Sequence, residues 1–124
     1  MIKLAIPLLH VSTAAQAEEF YRNRLGFRRE FAHRGDETKP DPCYTGISRD
    51  GVWLHLSSFA GDGVSGGVVN LLVDNVDVLY AEFLAQGVPI AEGVPIAVGP
   101  VDQTWGTGEM YVKDADGNCI RFMS

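Results

Sequence analysis

The sequence predicts an α+β protein built from two copies of a strand–helix–strand–strand–strand module. In each half of the chain, a short β-prone run is followed by a segment whose apolar residues recur at helical spacing. The halves also superpose, since a shift of 62 residues pairs Ile6 with Val68 and a shift of 66 residues pairs His55 with Arg121. Because either half alone would expose one face of its sheet, we expect the halves to pack together or against another chain.

The first module reads as a strand, a helix and three further strands. Residues 6–11 form the first β-prone run, and residues 13–27 form the helical segment, with Thr13 as the N-cap and Gly26 as the stop. Three strand-like runs follow, at 27–33, 43–48 and 52–59. An Asp-Gly pair between the last two runs predicts a tight turn.

A glycine-rich hinge over 61–66 separates the modules, which we place at 1–60 and 67–124 of a single domain. The hinge has the composition of a flexible linker and does not match a phosphate-binding loop. The second module begins with a strand at 68–73 and a helix at 75–87, and further strands close the chain.

Composition restricts the class of function. The net charge of −6 disfavours nucleic acid as a partner, because phosphate binding needs a basic surface. No apolar run approaches the roughly 18 residues of a membrane span, and the first residues lack a signal-peptide pattern. The two cysteines, Cys43 and Cys119, have no paired spacing. We therefore expect a cytoplasmic protein with reduced thiols.

The strands over 52–57 and 119–123 each predict one aliphatic face and one mixed face, because side chains alternate along a strand. The aliphatic faces hold Val52, Leu54, Leu56, Ile120 and Phe122. The mixed faces hold Trp53, His55, Ser57, Cys119, Arg121 and Met123. An unpaired cation in a dry core is costly, so Arg121 indicates a wet or ligand-lined surface. The alternative is an edge strand from which Arg121 extends into solvent.

In the context of the duplicated module, "EEFYRNRLGF" (18–27) and "KDADGNCIRF" (113–122) resemble the vicinal oxygen chelate superfamily. Within it, "LYAEF" (79–83), Trp105-Gly106 and "GNC" (117–119) are most similar to the bleomycin-resistance proteins, which bind and sequester a drug. The resemblance implies two modules forming a curved, cleft-bearing mixed sheet with helices on the convex side. It also implies a homodimer that exchanges modules, so that both chains line each of two crevices. On the concave side we expect Ile6, Leu8, His10, Trp53, His55, Asn70, Leu72 and Arg121.

Enzymes of the superfamily hold a divalent metal with side chains from the first and last strands of each half. Here those positions are occupied by Ile6, His55, Val68 and Arg121. Since a catalytic metal needs about three protein ligands and arginine repels a cation, we predict no metal, no cofactor and no catalytic residue. A displaced pair, His10 and His55, is the alternative metal site.

The resemblance instead implies a ligand-binding site. Trp105 resembles the stacking tryptophan of the bleomycin-resistance proteins, and Tyr44 takes another aromatic contact position. Asn70 stands where a second tryptophan can occur, with Trp53 on a neighbouring strand. The predicted ligand contacts are Trp105, Tyr44, Trp53, His55, Ser57, Asn70 and Arg121. The predicted function is metal-free sequestration of an aromatic, cationic antibiotic. The alternatives are a glyoxalase- or dioxygenase-like enzyme with a rearranged metal site, and binding of a host metabolite.

Overall fold

The computed structural model describes residues 1–88, 101–102 and 108–124. By its internal contacts the chain divides into two units, Met1–Ser65 and Gly66–Ser124. In the described residues, each unit places one strand before a helix and three strands after it. The predicted α+β class and the duplicated module are therefore confirmed.

The first unit forms a four-stranded sheet with its helical segment packed on one face. Its elements are β1 (Leu8–His10), α1 (Ala14–Glu18), a π-helical continuation (Glu19–Arg24), β2 (Arg28–Arg34), β3 (Cys43–Arg49) and β4 (Val52–Ser57). The strand order is β1-β4-β3-β2, with β1 parallel to β4 and the other pairs antiparallel. β1 is shorter than the run predicted over 6–11.

The helix of the first unit begins at the predicted cap. Thr13 Oγ1 accepts a hydrogen bond from the Gln16 backbone N–H at 3.3 Å. The Asp41 carboxylate adds a tertiary anchor, because one oxygen accepts from the Ala14 N–H at 2.9 Å and from the Ser58 hydroxyl at 2.6 Å. The start of the helix is thereby tied to the ends of β3 and β4.

The second unit repeats this plan. Its elements are β5 (Val68–Leu72), α2 (Val76–Ala85), β6 (Val101–Asp102), β7 (Gly108–Lys113) and β8 (Cys119–Met123). The strand order is β5-β8-β7-β6, with β5 parallel to β8. Asn75 caps α2 by accepting from two backbone N–H groups. In the described ranges, no helix is long and apolar enough to cross a membrane.

Burial confirms which faces of the strands form the core. Leu54 in β4 and Ile120 in β8 are fully buried, and Phe122 packs edge-on against Phe83 of α2 at 5.2 Å. Val52 differs from its aliphatic neighbours, because it lies at the start of β4 and is 43% exposed. The opposite face of each sheet is therefore the candidate for a functional site.

Candidate functional site

Aromatic rings gather on one face of the first sheet, opposite the face that packs under α1. They belong to Phe31, His33, Tyr44, Trp53 and His55, and we call this group the aromatic surface. The strand register explains the grouping, since Gly46 stands opposite both His55 and Phe31, and Tyr44 stands opposite His33. Residues opposite each other across a ladder share a face of the sheet.

His55 lies at the centre of the aromatic surface. The rings of Tyr44 and Phe31 meet it edge-on, with centroids 5.2 Å and 5.4 Å away, and Trp53 does so at 6.3 Å. Phe31 and Tyr44 are nearly parallel, at an interplanar angle of 5°. Edge-to-face and offset arrangements at these distances are the favourable geometries of aromatic pairs.

A hydrogen bond of 2.7 Å joins the Tyr44 hydroxyl to Nδ1 of His55. Burial lowers the pKa of His55. It is also the main cause of the raised pKa of Tyr44, and the nearby Asp62 adds to that rise. Both shifts favour the neutral forms, so the pair carries no charge at neutral pH. The aromatic surface is accordingly a neutral platform in which one imidazole is held in a fixed orientation.

Gly46 makes room for the ring of Phe31. A methyl group at this position would stand 2.3 Å from the Phe31 ring, closer than real contacts allow. The sequence pattern does not predict that Phe31, His33 or Gly46 belongs to the site. A register shift between Arg29 and Phe31 interrupts the alternation of β2. A period-two pattern therefore does not reveal which face of the sheet Phe31 occupies. A glycine inside a strand was the available signal, because it often marks the close approach of another group.

We expect His55 to contribute to the acid sensitivity of folding. Its folded-state pKa lies below the ordinary value of 6.5, so the unfolded chain binds a proton more readily as the pH falls through that value. Stability is therefore present at higher pH and is lost below about pH 6.5. Urea unfolding at about pH 7.5 and about pH 5.5 should show a smaller loss for His55→Gln than for the wild type. His33→Gln, an exposed histidine of the same surface, is the matched control, and an equal change in both variants would contradict the assignment.

Three of the predicted contacts, Tyr44, Trp53 and His55, are brought together by the fold. Ser57 is not on the accessible surface: it is fully buried, its hydroxyl donates to the Asp62 carboxylate at 2.9 Å and accepts from the Phe59 N–H at 3.1 Å. Ser57 shares the face of Trp53 and His55, as alternation predicts, but the loop after β4 covers it. Trp105 lies outside the described residues.

The residues at the superfamily's metal positions do not fit a divalent cation. In the first unit these positions hold the aliphatic Ile6 and His55. In the second unit they hold the aliphatic Val68 and the cation Arg121. The alternative ligand His10 stands opposite Ser57, and its Nδ1 lies 3.1 Å from the Asp62 carbonyl oxygen. The described part of the chain holds no group of three or more His, Cys, Asp or Glu residues that could bind a metal.

Polar side chains occupy the corresponding face of the second sheet. The guanidinium carbon of Arg121 lies 4.7 Å from the centroid of the Tyr111 ring, which is a cation–π distance. The Tyr111 hydroxyl donates to the buried Glu109 carboxylate at 2.7 Å, and this bond is the main cause of the raised pKa of Tyr111. Asn70 stands opposite Arg121 in the parallel ladder and is exposed. We call Glu109, Tyr111, Arg121 and Asn70 the polar cluster.

Comparison with known proteins decides the family. A family model described as glyoxalase superfamily protein matches residues 1–124. The chain belongs to the glyoxalase superfamily. The resemblance to the vicinal oxygen chelate superfamily, drawn from "EEFYRNRLGF" and "KDADGNCIRF", is thereby confirmed. No curated protein sequence matches the chain significantly.

Solved structures share the fold over nearly the whole chain. A bleomycin-binding protein complexed with bleomycin is 21% identical, with a TM-score of 0.77, and the match covers 99% of this chain and 98% of that one. A bleomycin resistance determinant encoded on the transposon Tn5 gives the same values. A superfamily member from Sphaerobacter thermophilus DSM 20745 is 22% identical, with a TM-score of 0.70 and coverage of 99% and 97%. At this level of identity, the likeness establishes the fold and not the ligand.

Proposed function

We propose that this glyoxalase-superfamily protein binds an aromatic small molecule without metal and without turnover, and that the ligand is a cationic antibiotic. The aromatic surface is the observation that carries the proposal. Rings that already contact one another lose little freedom on binding, and each stacked ring of a ligand adds on the order of 1 kcal/mol beyond area burial. A flat aromatic molecule is the natural occupant of such a surface.

The charge of the site supports a cationic ligand. Tyr44 and His55 are neutral at neutral pH, and the faces of aromatic rings attract cations. The net charge of −6 adds a weak attraction at longer range. The bleomycin-binding protein of the same fold was crystallised with bleomycin, which makes this drug the first compound to test.

The proposal extends to residues and assembly drawn from the family resemblance. Trp105 remains a proposed stacking residue, with Asn70 as a proposed contact. We also propose a cytoplasmic homodimer that exchanges modules about the hinge over 61–66. Light scattering that finds only a monomer at micromolar concentration would contradict this assembly.

Calorimetric titration with bleomycin and with ethidium, a planar aromatic cation, tests the binding role. We expect Trp53→Ala to weaken binding of whichever compound binds the wild type by roughly ten- to a hundred-fold, since it removes about 1–3 kcal/mol of ring contact. Trp105→Ala should have a similar effect. Phe59→Ala is the matched control, because Phe59 packs beside Gly35 and makes no ring contact with the aromatic surface among the described residues.

Two results would overturn the proposal. Equal affinities of the wild type and Trp53→Ala would show that the aromatic surface does not bind the ligand. Stoichiometric nickel, zinc, iron or manganese in the purified protein would favour the alternative, an enzyme with a rearranged metal site.

A further inference from the structure

We propose that the polar cluster of the second sheet is a binding site for the carboxylate group of a small molecule, with Arg121 as its main donor. The assignment rests on the second unit alone and does not depend on what the aromatic surface binds. Three features of Arg121 lead to this assignment.

The first feature is an unused donor. Nε of Arg121 is buried, and it is the one buried side-chain nitrogen or oxygen without a hydrogen-bond partner in the part of the chain that the structure describes. A buried N–H group without an acceptor destabilises a protein. A ligand could supply this acceptor after a small shift of the half-buried Arg121 side chain, because Nε itself is closed off from solvent.

The second feature is the absence of a countercharge. Glu109 lies on the same face, two residues from Tyr111, but no ion pair joins it to Arg121 among the described residues. The Glu109 carboxylate instead accepts the hydroxyl proton of Tyr111. The guanidinium group is thus held over an aromatic ring, where it is oriented but not neutralised.

The third feature is the shape of the donor set. A guanidinium group presents its N–H groups as a planar fork that matches the two oxygens of a carboxylate. Asn70 stands beside it in the ladder and is exposed, so its amide can donate to the same group. Glu109 disfavours a dianion by repulsion, which favours a singly charged carboxylate over phosphate.

The test is an NMR titration of the full chain with cyclohexanecarboxylate, cyclohexanecarboxamide and inorganic phosphate. These probes contain no aromatic ring, so the result is independent of the aromatic surface. We expect the carboxylate to cause saturable shifts of amide signals in β7 and β8 and of the Arg121 Nε–H signal. The neutral amide and phosphate should bind at least about tenfold more weakly.

Variants locate the interaction. Arg121→Gln should abolish the saturable shifts, whereas Lys113→Gln should change the affinity by less than about twofold. Lys113 lies on the adjacent strand, two residues from Tyr111, and is exposed, so it controls for net charge. If Arg121→Gln does not fold, Arg121→Lys serves in its place: it keeps the charge but loses the fork, and should bind at least about tenfold more weakly.

Four outcomes would overturn the assignment. Equal binding of the carboxylate and the amide would show that charge is not recognised. Equal losses of carboxylate affinity in Arg121→Gln and Lys113→Gln would show that the effect comes from net charge alone. Tighter binding of phosphate than of the carboxylate would show that the site does not prefer a carboxylate. Shifts confined to the first unit would show that the binding site lies in that unit.

Discussion

Replacing Leu54 by alanine is expected to lower the free energy of unfolding by about 2–5 kcal/mol. Leu54 is fully buried in β4, on the face that packs under α1. Truncation removes apolar contacts and leaves a cavity that the surrounding strands fill only in part. Urea denaturation followed by circular dichroism would measure the change through the midpoint of unfolding.

Val52→Ala is the matched control for this prediction. Val52 lies two residues before Leu54, on the same face of the same strand, but is 43% exposed at the strand's start. Its truncation should cost less than about 1 kcal/mol. Similar losses in the two variants would contradict the claim that burial under α1, and not the aliphatic character of the face, determines the contribution.

The faces of β4 and β8 could be predicted from sequence because both strands alternate without interruption. The period of two placed Leu54 and Ile120 in the core, and it placed Trp53 and His55 on the opposite surface. Tyr44 was identified by its family position, and the antiparallel register brings its hydroxyl to His55.

The rest of the aromatic surface depends on tertiary contacts that the strand pattern alone does not specify, although Gly46 within β3 is a local sign of one of them. Phe31 reaches the surface because of the register shift in β2, and it fits only because Gly46 lies beneath it. The burial of Ser57 depends on Asp62, which returns from the loop after β4. Each of these is a tertiary contact set by strand pairing or by a loop.

The position of Arg121 was predicted, but its neighbours were not. Alternation placed Arg121 on the face of β8 opposite Ile120 and Phe122, and only the pairing of β7 with β8 shows that Tyr111 lies opposite it. The cation–π contact with Tyr111 therefore accounts for part of the environment of Arg121 in β8. It leaves the buried Nε group without a hydrogen-bond acceptor, which the proposed carboxylate ligand would supply.

Asn118 has a role that the family motif did not reveal. It is fully buried in the turn between β7 and β8, where its Nδ2 donates to Asp114 at 3.0 Å and its Oδ1 accepts from the Gly67 N–H at 3.2 Å. Its backbone N–H also donates to the Asp114 carboxylate at 2.9 Å. One side chain thus joins the turn to the residue that leads into β5.

We expect Asn118→Ala to lower the free energy of unfolding by about 2–4 kcal/mol, because it removes the acceptor of the Gly67 N–H and one buried donor to the Asp114 carboxylate. Asn75→Ala is the matched control, because Asn75 also accepts backbone hydrogen bonds, at the start of α2, but is exposed. Its replacement should lower the free energy of unfolding by about 1 kcal/mol. Urea unfolding of both variants at neutral pH would compare them directly. Hydrogen exchange adds a local readout, since the Gly67 and Cys119 amides should lose protection in Asn118→Ala alone. A loss no greater than that of Asn75→Ala would mean that solvent replaces the bonds of Asn118, and that this asparagine does not hold the turn to β5.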